Sequence, residues 1–135
     1  MNIDSLRRQH TEIAKVMQDM EGLLKLPLEN KAFELSLKLG ELAGKLTFHL
    51  QSEDKFLYPS LLSSSDPKIK KIGQEFVNEM GGIAQVFTGY REKYKSAANI
   101  KANPQEFMAT TGQVFAVLKK RVAAEEQKLY PLLKV

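Results

Sequence analysis

The chain has 135 residues, with 20 Lys and Arg against 16 Asp and Glu, no Cys, no Trp and two His. One domain of this length buries roughly two-thirds of its unfolded surface and needs no disulfides. Without Cys, disulfide frameworks, Cys-ligated zinc, iron–sulfur clusters and thiol catalysis are excluded. The formal charge of +4 is spread over scattered basic residues, without the stripe that a nucleic-acid surface requires. Met1-Asn2-Ile3-Asp4 lacks the basic-then-apolar layout of a signal peptide. No apolar run approaches the ~18 residues of a membrane span. The expectation is a single cytoplasmic domain over residues 1–135 that binds neither nucleic acid nor membrane.

Helical periodicity dominates from the first residues. Ile3, Leu6, His10, Ile13, Met17, Met20 and Leu24 recur at alternating spacings of 3 and 4, the stripe of a core-facing helix. Asp4 or Ser5 is expected to cap its start, and Pro27 to end it. A second stripe, Leu35, Leu39, Leu42, Leu46, His49, Glu53 and Phe56, predicts a helix from about Glu29 to about Leu62, bent near Pro59. Asp66-Pro67 then supplies an N-cap followed by Pro at the first helical position. The third helix carries Ile69, Ile72, Phe76, Met80, Ile83, Phe87, Tyr90 and Tyr94, and ends in the polar stretch from Ser96 to Asn103. Gly81-Gly82 interrupts it, which predicts close packing or a local kink beside Met80. Asn103-Pro104 opens the fourth helix, with Phe107, Thr111, Val114, Leu118, Arg121, Glu125, Lys128 and Leu132 on one line. No alternating strand pattern is visible. The fold class is therefore all-α, an up-down-up-down four-helix bundle.

The two halves of the chain repeat one another. Ile13-Ala14-Lys15-Val16-Met17 matches Ile83-Ala84-Gln85-Val86-Phe87. Glu53-Asp54-Lys55-Phe56-Leu57-Tyr58-Pro59 matches Glu125-Glu126-Gln127-Lys128-Leu129-Tyr130-Pro131. Two related hairpins imply an approximate twofold axis. Polar residues interrupt the core stripes at His10, at His49 with Glu53, and at Arg121 with Glu125. The i, i+4 spacing stacks each pair on one helix face. Buried carboxylates and cations require partners. Imidazole and carboxylate converging inside a bundle is the donor set of a transition-metal site. The alternative reading of each residue is structural: a buried imidazole held by neighbouring carboxylates, with Tyr58 and Tyr130 bonding across the bundle end.

The segments Arg8-Gln9-His10-Thr11-Glu12-Ile13 and His49-Leu50-Gln51-Ser52-Glu53-Asp54-Lys55-Phe56-Leu57-Tyr58-Pro59 resemble the hemerythrin-like (HHE cation-binding) family over nearly the whole chain. The resemblance implies a bundle around a non-haem di-iron centre, with His from all four helices and two bridging carboxylates. His10, His49, Glu53 and Glu125 match the family's ligand positions. Met80 and Arg121 stand where two further His belong, so an ordinary di-iron centre is not expected. Arg121 cannot ligate a metal, because guanidinium stays protonated and offers only donors.

Three states follow. In the first the bundle is metal-free and Arg121 pairs with Glu53 and Glu125. The second holds one iron or zinc on His10, His49, Glu53 and Glu125. The third is a di-metal site with an unusual ligand such as Glu79. The leading functional reading is a hemerythrin-like protein with a decayed di-iron centre, a non-enzymatic binding or regulatory module with one metal or none. The alternative is a mononuclear iron or zinc protein that binds or senses oxygen or nitric oxide. Its partner would then be a diatomic ligand or another protein. A histidine phosphotransfer bundle is the remote alternative and would need an exposed imidazole.

Overall fold

The computed structural model describes residues 2–133, nearly all of them helical. Helix α1 is Ile3–Leu23 and α2 is Leu28–Ser52. Helix α2 runs through a widened π turn, Glu53–Leu57, into α3, Tyr58–Leu62. Helix α4 is Pro67–Lys93, α5 is the short Ala97–Ala102, and α6 is Pro104–Ala124. A second π turn, Glu125–Leu129, and a 3₁₀ turn, Tyr130–Leu132, continue α6. Among the described residues there is no strand, and no helix is long and apolar enough to cross a membrane. The fold is the all-α bundle that the periodicity predicts.

The caps follow local chemistry. Asp66 accepts from the Lys68 backbone N–H and Asn103 from that of Glu106, each just before a Pro at the first helical position. At the N-terminus the cap is Asn2 rather than Asp4 or Ser5. Its extended backbone lets Oδ1 accept from the Ser5 N–H at 3.0 Å, which leaves Asp4 inside the first turn. Helix α1 stops at Leu23, and Pro27 serves instead to open α2. The polar stretch after α4 is itself partly helical: Ser96 caps α5, which buries Ile100.

The expected bend near Pro59 lies upstream, in the π turn. The Tyr58 N–H donates to the Glu53 carbonyl, and the Tyr130 N–H to that of Glu125. Each bond spans five residues, and each is the last before a proline that lacks an N–H. The wider turn changes which residues face inward. In a regular helix five residues advance about 500°, leaving Tyr about 140° away from its Glu. The π turn takes up part of that angle, so Glu and Tyr share the interior face. This overturns two positions on the predicted stripes. Phe56 is 44 % exposed and Lys128 is exposed, whereas Leu57, Tyr58, Leu129 and Tyr130 are buried.

Two apolar layers result. One, at the α1–α2 turn end, contains Ile13, Met17, Leu35, Leu39, Leu42, Phe107 and Leu118, with Tyr90 stacked on Phe107 and Tyr94 meeting it edge-on. The other holds Leu6, Leu57, Tyr58, Leu61, Leu129 and Tyr130. Each fully buried leucine contributes about 1.5–3 kcal/mol. The polar positions fall between the layers: His10 between Leu6 and Ile13, His49 between Leu46 and Leu57, and Arg121 and Glu125 between Leu118 and Leu129. Helix α4 is held unevenly. It approaches α3 closely at Gly73, where an added Cβ would stand 3.0 Å from the Leu61 Cβ. From Ile72 to Phe87 its apolar residues are only half-buried, and a groove opens between α4 and α6. Gly81 and Gly82 neither interrupt α4 nor mark a close approach. The helix is continuous, both glycines are exposed, and an added Cβ meets nothing within 4 Å at either.

Candidate metal centre

The ligand-type atoms of His10, His49, Glu53 and Glu125 all lie within 4.8 Å of one another. The side chains come from α1, α2 and the first residues of the two π turns. The Nε2 atoms of His10 and His49 face each other at 3.1 Å. Glu125 Oε1 is 2.7 Å from the first and 3.2 Å from the second, and Glu53 Oε2 is 3.3 Å from His49 Nε2. Both imidazoles are 3 % exposed, which removes the phosphotransfer reading.

The outward nitrogens are already committed. His49 Nδ1 lies 2.7 Å from Gln9 Oε1, while Gln9 Nε2 donates to Ser52 Oγ, which fixes which amide atom faces the ring. His10 Nδ1 lies 2.8 Å from Glu126 Oε2, and Glu126 Oε1 accepts from Arg7 Nε. An amide oxygen and a carboxylate oxygen only accept, so both Nδ1 atoms donate. In the neutral rings Nε2 is then a bare lone pair, as in imidazoles that bind metals. With both rings neutral, two lone pairs and two carboxylates would converge on one buried point.

Tyr130 closes the cluster from the end of the second π turn. Its hydroxyl donates to Glu53 Oε2 at 2.9 Å and lies 3.2 Å from His10 Nε2, with its ring stacked on that of His10. Glu53 Oε1 is buried without a hydrogen-bond partner among the described residues.

Arg121 occupies the opposite flank and is 4 % exposed. Nε donates to Glu125 Oε2 at 2.9 Å, Nη1 to Glu79 at 3.1 Å, and Nη2 to the Tyr58 hydroxyl and the Phe76 carbonyl. The Phe76 ring lies 4.6 Å from the guanidinium carbon. Of the two carboxylates expected to share Arg121, only Glu125 does so among the described residues. Glu53 is turned to the far side of the cluster by Tyr130 and His49. Glu79, the unusual ligand expected of a di-metal site, is 64 % exposed, and Arg121 stands between it and the cluster. Met80 meets none of these groups. It lines a small cavity with Leu46, Leu50 and Leu118, while Phe76 and Glu79 are the α4 residues that reach Arg121.

The electrostatics show what the cluster lacks. Burial alone would lower the His49 pKa, but hydrogen bonds and charge from Glu125 and Glu53 outweigh it and raise it to about 9. Burial raises Glu125, yet His10, His49 and Arg121 hold it well below the usual carboxylate range. Glu53 is pushed up, chiefly by burial, opposed by His49 and reinforced by Glu125. Tyr130 is raised by burial and by the two carboxylates, so its phenol stays protonated. The site calls for positive charge at its centre, from protons or from a cation.

Sequence comparison agrees with this geometry. The model of the hemerythrin HHE cation-binding domain family matches residues 1–133, and the chain belongs to that family. No curated protein and no solved structure matched the chain. The chain is thus a hemerythrin-type bundle with a buried His and Glu cluster that could hold a metal. The sequence did not single out Gln9, Ser52 or Glu126. Gln9 directly precedes His10 and Glu126 directly follows Glu125, so proximity to a ligand was the only available signal.

Proposed function

We propose that this chain is a one-metal form of the HHE domain. His10, His49, Glu53 and Glu125 would hold a single divalent transition ion, and the Arg121 guanidinium supplies the positive charge of a second. The observation that carries this reading is the commitment of both Nδ1 atoms outward, which leaves two Nε2 atoms and two carboxylates facing one point, where a metal ion would displace the proton. Mixed nitrogen and oxygen donors suit Fe(II) or Zn(II). When bound, such an ion supplies a Lewis acid and, as iron, a one-electron redox couple.

The chain's own residues do the rest. Gln9 and Glu126 orient the imidazoles and fix their tautomers. Tyr130 holds Glu53 by a hydrogen bond. Arg121 binds Glu125 Oε2, the oxygen that a second ion would need, so the site stays mononuclear and serves as a binding module. A second reading, oxygen or nitric-oxide binding by the iron form, is favoured by enclosure of the cluster between two apolar layers, which admits a small uncharged ligand more readily than a large one.

Co(II) titration tests the proposal. One equivalent is expected to give a visible d–d spectrum with mixed nitrogen and oxygen ligation. Gln9→Ala, which removes no ligand, should weaken binding about 10–100-fold. Absence of a cobalt spectrum in folded protein would overturn the reading.

A further inference from the structure

The groove between α4 and α6 has a volume of about 760 Å³, within the range of small-molecule sites. Its walls are apolar, from Ile72, Phe76 and Ile83 on one side and Val117 and Ala124 on the other. Arg121 lies at its floor, and Lys120 and Lys128 stand on its rim. From this arrangement we infer that the groove binds an aliphatic monocarboxylate, with the carboxylate on Arg121 Nη1 and the chain along Phe76, Ile83 and Val117.

Three observations support a carboxylate. First, the group that already sits on Nη1 is one: Glu79 reaches in from α4, although its side chain is 64 % exposed. Arg121 itself is buried, but the Glu79 end of the pair is open to solvent, so an incoming carboxylate can displace it. Second, guanidinium carries five N–H donors, and the bonds to Glu125, Glu79, Tyr58 and Phe76 use four. The fifth is on Nη1, the nitrogen that bears the displaceable Glu79, so Nη1 has an N–H to give an incoming carboxylate. Third, charge favours an anion. Glu75 and Glu79 line the groove against Arg121, Lys120 and Lys128. When Glu79 swings out to solvent, Glu75 and the Arg121-bound Glu125 remain opposite three cations, an excess of one positive charge.

The apolar walls select the rest of the molecule. A small inorganic anion would satisfy Arg121 but leave the walls wet, whereas an alkyl chain covers them. Helix α4 is the wall best able to adjust, since its middle turns are only half-buried. The site is independent of whether the neighbouring cluster holds a metal. The two are nonetheless linked through Arg121, which bonds Glu125 with Nε and faces the groove with Nη1.

Isothermal titration of the full chain with decanoate tests the inference, with decanol and acetate as controls. Decanoate should bind more tightly than either. Glu79→Gln removes the internal competitor and should tighten decanoate binding roughly two- to fivefold. Val117→Asp, at a half-exposed wall position, should abolish it while the helical spectrum is retained. Equal affinity for decanol, equal affinity for acetate, no decanoate binding at about millimolar concentration, or unchanged affinity in Glu79→Gln would each overturn the inference.

Discussion

Replacing Arg121 by Met removes the buried cation while keeping an unbranched side chain of comparable reach. Arg121 is 4 % exposed and Glu125 1 %, so the ion pair between them is sealed from solvent. Deleting one member of a buried pair costs about 3–5 kcal/mol, because the other charge is left uncompensated. Here His10 and His49 remain beside Glu125, which places the loss near the lower end, about 3 kcal/mol. The buried Tyr58 hydroxyl and the Phe76 carbonyl also lose a donor, and the groove that Phe76 lines can admit water in its place. Urea unfolding followed by far-ultraviolet circular dichroism, in the presence of a chelator, measures the effect. The thermal midpoint should fall by roughly 10 °C. Arg121→Met combined with Glu125→Gln should recover most of the loss, since an uncharged pair needs no compensation. A single variant that loses less than about 1 kcal/mol, or a double variant as unstable as the single, would refute the account of Arg121 as the cluster's fixed cation.

Stability and metal affinity should respond to pH in opposite directions. The folded His49 pKa is raised from 6.5 to about 9, so the imidazolium's contribution is complete below about 6.5 and lost as pH rises through about 9. Metal-free protein should weaken across that window by an amount on the order of 3 kcal/mol, whereas metal affinity should rise because the ion displaces the proton. Denaturant midpoints that stay flat between the ends of the window would contradict this. Glu53→Gln should leave metal-free stability within about 1 kcal/mol, because the carboxylate it replaces is buried with one oxygen unpaired, but should lower metal affinity more than tenfold. Gly81→Ala and Gly82→Ala fill open space on an exposed helix face, so each should add about 1 kcal/mol by urea unfolding.

The helices and the cluster were legible because each follows from spacing. A stripe that alternates three and four residues builds a helix, and a polar residue on that stripe has nowhere to go but inward. His10, His49, Glu53 and Glu125 all follow that rule. The places where the rule fails share one cause. Beyond Glu53 and Glu125 a π turn inserts an extra residue, so Phe56 and Lys128 swing out while Tyr58 and Tyr130 swing in. Only the Pro after each Tyr hinted at it. The repeat also put Met80 in the place of a lost ligand, but α4 does not mirror α1. Its middle turns are only half-buried beside the groove, and Arg121 meets Phe76 and Glu79 instead. Residues that orient ligands, such as Gln9 and Glu126, carry no periodic signature, because they sit beside the stripe rather than on it.

Metal content tests the central claim most directly. The untagged protein should be titrated anaerobically with Fe(II), and separately with Zn(II), and the bound ion counted after exhaustive dialysis. One equivalent per chain, lost on chelation together with a drop in the thermal midpoint, is the predicted result. Two equivalents would mean that Arg121 does not take the place of a second ion, and none, with an unchanged midpoint, would mean that protons alone neutralise the cluster.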